Sequence, residues 1–207
     1  MIEWLTLVGI GFTAQVAPAT SIDAAMTRCQ DASPQRDDAA VASACSAALQ
    51  RGNLSPAEVA RVQALRARAY VRQNDYRHAM PDYRAAFRAD VAQPSVANGL
   101  CWTLAVLGES LDEARDACDA RLREAPDDAE ALDSRGLVNL KQGRFQEAWD
   151  DYDRAVRINP QGVSWFYGRA IAALRLGRIE EGRRQIEMAE IGYPGIGAMF
   201  ESYGIRP

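Results

Sequence analysis

Residues 129–162 read AEALDSRGLVNLKQGRFQEAWDDYDRAVRINPQG, and the order of small, aromatic and turn residues in that stretch decides the fold. Gly136, Ala148 and Ala155 are small residues placed to let two helices approach closely, and Pro160 prevents the second from continuing. Gly143 lies between the two helices, where a left-handed residue ends the first. The stretch is a helix-turn-helix unit, and it repeats. Ala79, Ala114, Ala148 and Gly182 stand 35, 34 and 34 residues apart. Twelve residues before each come Ala67, Trp102, Gly136 and Ala170; four after come Tyr83, Cys118, Tyr152 and Ile186. Seven after follow Ala86, Arg121, Ala155 and Ala189, and twelve after Val91, Pro126, Pro160 and Pro194. A period of this length is the signature of stacked supersecondary units.

On these residues the chain resembles the tetratricopeptide repeat (TPR) family. Leu132, Gly136, Gly143, Phe145, Ala148, Tyr152, Ala155 and Pro160 fall on the family positions of 129–162. The units 60–93 and 163–196 match well, with Tyr70, Tyr76, Ala79, Tyr83 and Ala86 in the former. The unit 95–128 deviates, putting Trp102 in a small-residue slot and Arg121 in an alanine slot. Burying Trp102 there would splay the helices, so it is expected to fill a gap between units. The resemblance covers roughly two thirds of the chain. It implies an all-α fold, a TPR α-solenoid: a right-handed superhelix of helix-turn-helix repeats.

Flanking elements complete the expected solenoid over 20–207. A degenerate repeat, 22–52, has helices near 22–30 and 38–50, Val41, Cys45 and Ala48 fitting the second, with Ser33-Pro34 in its turn. At the other end 197–207 reads as a cap, with Ile196, Met199, Phe200 and Tyr203 on one apolar face; solenoids need such ends to cover a stacking surface. Ser55 with Glu58, and Ser110 with Glu113, predict capping boxes at two helix starts. Asn74 and Gly143 predict left-handed turns.

Composition excludes several functions. The 207 residues are 48% hydrophobic and 25% charged, enough for a substantial core, and the net charge of -4 argues against a nucleic-acid partner. His78, the only histidine, leaves almost no dyad or imidazole metal site, and it falls at the start of a second helix, facing water. Asp150, Asp151 and Asp153 lack the glycine and terminal glutamate of a calcium loop and read as a solvated face. The chain is expected to be no enzyme and to carry neither metal nor cofactor.

Residues 1–19 read as a secretory signal or an unstructured tail. Trp4 to Ala17 is mainly apolar and ends in Ala17-Pro18-Ala19, but it is short and interrupted for a membrane span, and Glu3 stands where a basic residue is normal. A periplasmic or secreted protein is the first expectation, a cytoplasmic one the alternative. The cysteines fit the first. Cys29 and Cys45 fall one on each helix of the degenerate repeat, and Cys101 and Cys118 fall on nearly the same slots of the deviant one. Antiparallel helices 8 to 10 Å apart bring facing Cα atoms to roughly 3.4–5.4 Å, overlapping the disulfide range. Cys29–Cys45 and Cys101–Cys118 disulfides are expected, the alternative being four small buried hydrophobes. The runs Cys101-Trp102, 116–119, 133–136 and 200–204 further resemble small exported bacterial TPR proteins, a likeness that carries no activity with it.

The family binds along the concave side lined by its first helices, and the resemblance implies the lining residues. Arg61, Arg68 and Arg72 form one stripe in the first full repeat, within about 40° of one another. Val96, Gly99, Thr103, Val106 and Leu107 follow, then Glu130, Asp133, Leu137 and Lys141, then Tyr167, Ile171, Leu174 and Arg175. A groove with a basic entrance and a more apolar middle fits an acidic or C-terminal peptide, since guanidinium binds carboxylate in a bidentate fork. The alternative is a solvated arginine face, and the family's Lys and Asn carboxylate clamp is absent. Arg66 with Asp82 and Arg135 with Asp151, each 16 apart, read as structural ion pairs. The rival classes are a thiol redox or sensor protein using Cys101 or Cys118, and a membrane-tethered assembly factor.

Overall fold

The computed structural model describes residues 22–30, 37–89 and 94–207, so the expected leader, the Ser33-Pro34 turn and Val91 lie outside the described residues. Among the described residues there are eleven helices and no strand. They are α1 (Ile22–Cys29), α2 (Asp38–Gln50), α3 (Pro56–Arg72), α4 (Tyr76–Arg88), α5 (Pro94–Leu107), α6 (Leu111–Glu124), α7 (Ala129–Lys141), α8 (Phe145–Ile158), α9 (Val163–Arg175), α10 (Ile179–Gly192) and α11 (Ile196–Ser202). Consecutive helices pair from α1/α2 to α9/α10, and each pair stacks on the next. The architecture is the right-handed α-solenoid that the family resemblance implies. First helices also touch one another, α5 on α7 and α7 on α9, and so form the inner, concave layer.

Local chemistry sets the element ends. Asp37, Asp75 and Asp128 cap their helices by accepting backbone N–H bonds, and Ser55 and Glu58 form the expected capping box with Pro56 just inside the helix. The second expected box does not form. Ser110 has a left-handed backbone, φ 47°, and its side chain caps nothing; Glu113 is drawn away by Arg84, whose Nη2 donates to it at 2.6 Å. The helix still begins at Leu111. Four hairpin turns close on a left-handed residue at the same slot, Asn74, Gly108, Gly143 and Gly177. After each, a backbone N–H reaches back five residues, as Asp75 N–H does to the Tyr70 carbonyl at 2.9 Å, satisfying a carbonyl the helix leaves open.

Packing between hairpins uses one recurrent wedge. The ring of Tyr152 is fully buried between α7 and α9, against Gly136 and Gly168, and the ring of Tyr83 lies against Gly99. Glycine is required there because an added Cβ would stand 2.3 Å from the Tyr152 ring at Gly168 and 2.4 Å from Tyr83 at Gly99.

Arginine at the slot before the small residue rivets neighbouring hairpins. Arg66 forks onto Asp82 at 2.6 and 2.8 Å and also donates to Ser46. Arg135 joins Asp151 of its own hairpin to Asp119 of the preceding one, and Arg169 joins Gln185 to Asp153 in the same manner. This corrects the reading of 150–153 as a solvated face: Asp151 and Asp153 are held inside by these arginines, and only Asp150 is exposed. In the deviant repeat the arginine slot holds Cys101, whose partner Cys118 occupies the tyrosine slot. The sulfurs of Cys101 and Cys118 are 1.97 Å apart and those of Cys29 and Cys45 2.10 Å, and all four cysteines are buried. Arg121, in its alanine slot, turns back to Asp128 at 2.6 Å.

Candidate functional site

The concave layer of α3, α5, α7 and α9 carries every residue expected to line a groove. Arg61 and Arg72 are exposed and Arg68 is half-buried, so the basic entrance exists, although Arg72 also leans on Asp38 at 3.6 Å. Burial pushes the Tyr83 phenol up to about 12, opposed by the charges of Arg68 and Arg72, which places that pair beside the ring. Further along, Val96, Thr103, Leu137, Tyr167 and Ile171 are buried, and Gly99 is covered by Tyr83. Val106, Leu107 and Leu174 are half-buried. Lys141 bends to donate to the Val106 carbonyl at 3.0 Å, and its burial lowers its pKa. Arg175 is exposed.

The middle is covered by the chain's own 196–207 segment, which turns back along the concave face. Phe200 lies on Tyr167, ring centroids 4.9 Å apart. Tyr203 meets Trp102 edge-on at 5.5 Å, and its phenol lies beside that of Tyr76, whose hydroxyl donates to Asn74 at 3.2 Å. Ile205 packs on the apolar clusters of both the second and the later repeats, and Arg175 Nη2 donates to the Arg206 carbonyl at 3.0 Å. Trp102 therefore does not plug a gap inside the stack: it stands half-buried on the concave side and supports Tyr203. Sequence reasoning placed Phe200 and Tyr203 on an end cap and missed Tyr76, Trp102 and Ile205 as groove residues. The run of apolar residues continuing to Ile205, past a short amphipathic helix, was the available signal.

Open space flanks the segment. A cavity of about 480 Å³ is bounded by Leu140, Phe145, Ile171 and Arg175 on one side and by Tyr203 to Arg206 on the other. A second, of about 570 Å³, lies between Asn74, Tyr76, Val106 and Leu107 and the residues Met199, Ser202 and Tyr203. A third, of about 320 Å³, opens below Trp102 beside Tyr83, Asn98 and Asp133. Part of Asp133 reaches the surface, but its carboxyl sits deep, and burial pushes its pKa up to about 7, with the Trp165 indole opposing the rise. These are open, concave sites whose walls mix apolar side chains with polar groups. Among the described residues no helix is long and apolar enough to cross a membrane, and no three metal-binding side chains gather.

The fold recurs in solved structures. A tetratricopeptide repeat protein of Parabacteroides merdae superposes with a TM-score of 0.66 at 19% identity, over 88% of this chain and 73% of that one. MamA does so at 0.67 and 16% identity, over 87% and 95%. YrrB, a TPR protein with an unusual peptide-binding site, does so at 0.61 and 16% identity, over 81% and 84%. In sequence, 102 residues are 38% identical to U-box domain-containing protein 70 of Oryza sativa subsp. japonica, 49% of this chain but only 12% of that protein's length. The model of the tetratricopeptide repeat matches residues 64–129, 108–163 and 134–195 in overlapping registers. With more than half of its length so matched and its helices stacked in that phase, the chain belongs to the tetratricopeptide repeat family.

Proposed function

We propose that the chain is a non-enzymatic protein- or peptide-binding scaffold of the cell envelope, which takes its partner along the concave face. The observation that carries this reading is the face itself, where exposed and half-buried arginines at Arg61, Arg68 and Arg72 share one layer with open cavities of mixed apolar and polar lining. The basic end suits a carboxylate-bearing segment, because guanidinium and carboxylate pair through two parallel hydrogen bonds. The peptide-binding site of YrrB, on the same fold, supports the reading. Cysteines paired at bonding distance support an oxidising compartment, since such bonds persist outside the cytosol.

The entrance is tested by replacing Arg68 and Arg72 with alanine and titrating acidic peptides by fluorescence anisotropy. Loss of two charge-assisted contacts is expected to weaken binding by about tenfold or more. Unchanged affinity would remove the basic entrance from the site. Location is tested by alkylating native protein without reductant: no modified thiol is expected from an envelope protein, and four modified thiols contradict it.

A further inference from the structure

The 196–207 segment contacts the solenoid as a ligand does. Its anchors are held by three different hairpins: Phe200 by Tyr167 of α9, Tyr203 by Trp102 of α5 and Tyr76 of α4, and the Arg206 carbonyl by Arg175. Its helix packs on α9 and α10 as an end cap does, but Met188, Ile191 and Tyr193 stay exposed there, 69%, 75% and 53% accessible, and Tyr203 to Arg206 run on across the inner face. Its far half is loosely seated. Ile196 and Phe200 are buried, but Tyr203 and Ile205 are only half-buried, Gly204 and Arg206 are exposed, and cavities of about 480 and 570 Å³ remain on the segment's two flanks. It hangs on a short connection, Tyr193 to Gly195, whose last residue has φ 98°, and its helix is only 7 residues long. A helix that short has little stability of its own, so opening the segment costs far less than unfolding the solenoid.

Building on the concave-face reading above, we infer that the groove across α5, α7 and α9 is a site for a partner peptide that presents aromatic–x–x–aromatic–x–aliphatic on a helical turn, as Phe200 and Tyr203 do with ring centroids 6.0 Å apart, and that the chain's own Phe200, Tyr203 and Ile205 hold this site as an exchangeable resident. The partner's first aromatic takes the Tyr167 face, its second the Trp102 edge with a hydroxyl toward Tyr76, and its aliphatic residue the floor between the two clusters. Arg175 holds a backbone carbonyl, which fixes the direction of the peptide. Because the resident is tethered, it competes at a high effective concentration, and partner affinity is reduced by the fraction of groove it holds.

The test uses a fluorescent peptide of residues 198–207 against the full chain and against a full-length variant, Tyr203→Ser with Ile205→Ser, that weakens the resident in place. The variant is expected to bind at least about tenfold more tightly than the parent, and to lose that gain when Trp102→Ala is added. Equal binding of the two proteins, absence of binding to both, or equal binding of a scrambled peptide overturns the inference. Light scattering that shows dimers of the parent would overturn it in favour of a second copy's segment as the occupant. Hydrogen exchange on the unaltered chain provides a second readout that no folding failure can obscure: amides of 196–206 are expected to exchange faster than those of α9, and faster still with excess peptide. Protection equal to that of α9, with no response to peptide, overturns the inference. Acidic-peptide binding through Arg68 and Arg72, measured on the same proteins, survives if only this inference fails and disappears if the concave-face reading fails.

Discussion

The Tyr152 ring is wholly buried, and it owes its place to the two glycines that receive it. Alanine at position 168 has the better helix propensity by about 1 kcal/mol, but its Cβ would press 2.3 Å from a ring that has nowhere to go. Overpacking costs about 1–3 kcal/mol, so overpacking wins. Gly168→Ala is expected to lose roughly 1–2 kcal/mol in urea unfolding. Gly192→Ala, with nothing within 4 Å of the added carbon, is expected to be neutral or stabilising. Equal effects at the two sites would remove the wedge from the account of packing. Gly136 and Tyr152 were legible in the sequence, because both recur on the period and a small residue opposite a large one is a local fact. Trp102 was not. It sits in a small-residue slot, and what it packs on is Tyr203, about a hundred residues away, brought there by the course of the whole chain.

At the scale of helices, the solenoid is fastened by turns and by arginines. The turns were readable from Asn74 and Gly143, since a left-handed residue at a fixed slot has few substitutes. The second capping box was misread because Ser110 and Glu113 satisfy the pattern while Arg84, on another helix, offers Glu113 a charged partner. The pairs 66–82 and 135–151 were also readable, but the half of each rivet that reaches the preceding hairpin, Ser46 for Arg66 and Asp119 for Arg135, was missed, as was the whole of the Arg169 rivet to Gln185 and Asp153. Burial raises the Asp151 pKa despite the Arg135 and Asn139 bonds; burial lowers that of Arg135, but Asp151 and Asp119 outweigh it and hold it above the usual value. The guanidinium is thus the part the site cannot lose. Arg135→Ala strands two carboxylates, and a loss of roughly 2–3 kcal/mol is expected in denaturant unfolding, below the fully buried range because 24% of the Arg135 side chain stays in water. A loss under about 0.5 kcal/mol, the value of a surface pair, would show that the rivets do not fasten the hairpins.

For the molecule as a whole, periodicity sufficed to read the stack of hairpins, because each contact is made with the next unit along the chain. The state of the groove was not readable. Thr103, Leu137 and Tyr167 were read as lining, and they do lie on the concave layer, but they are buried. Phe200 in the returning segment covers Tyr167, a packing no local pattern specifies. The inner face nevertheless carries the cavities and the aromatic anchors together with its arginines, whereas Arg157 stands exposed on the second-helix side, paired with Asp153. Photo-crosslinking distinguishes them most directly. With p-benzoylphenylalanine introduced in the full chain at position 107 on the inner face or at position 157 on the outer, partner adducts are expected from 107 and not from 157. Adducts from 157 alone would contradict the concave face as the binding surface.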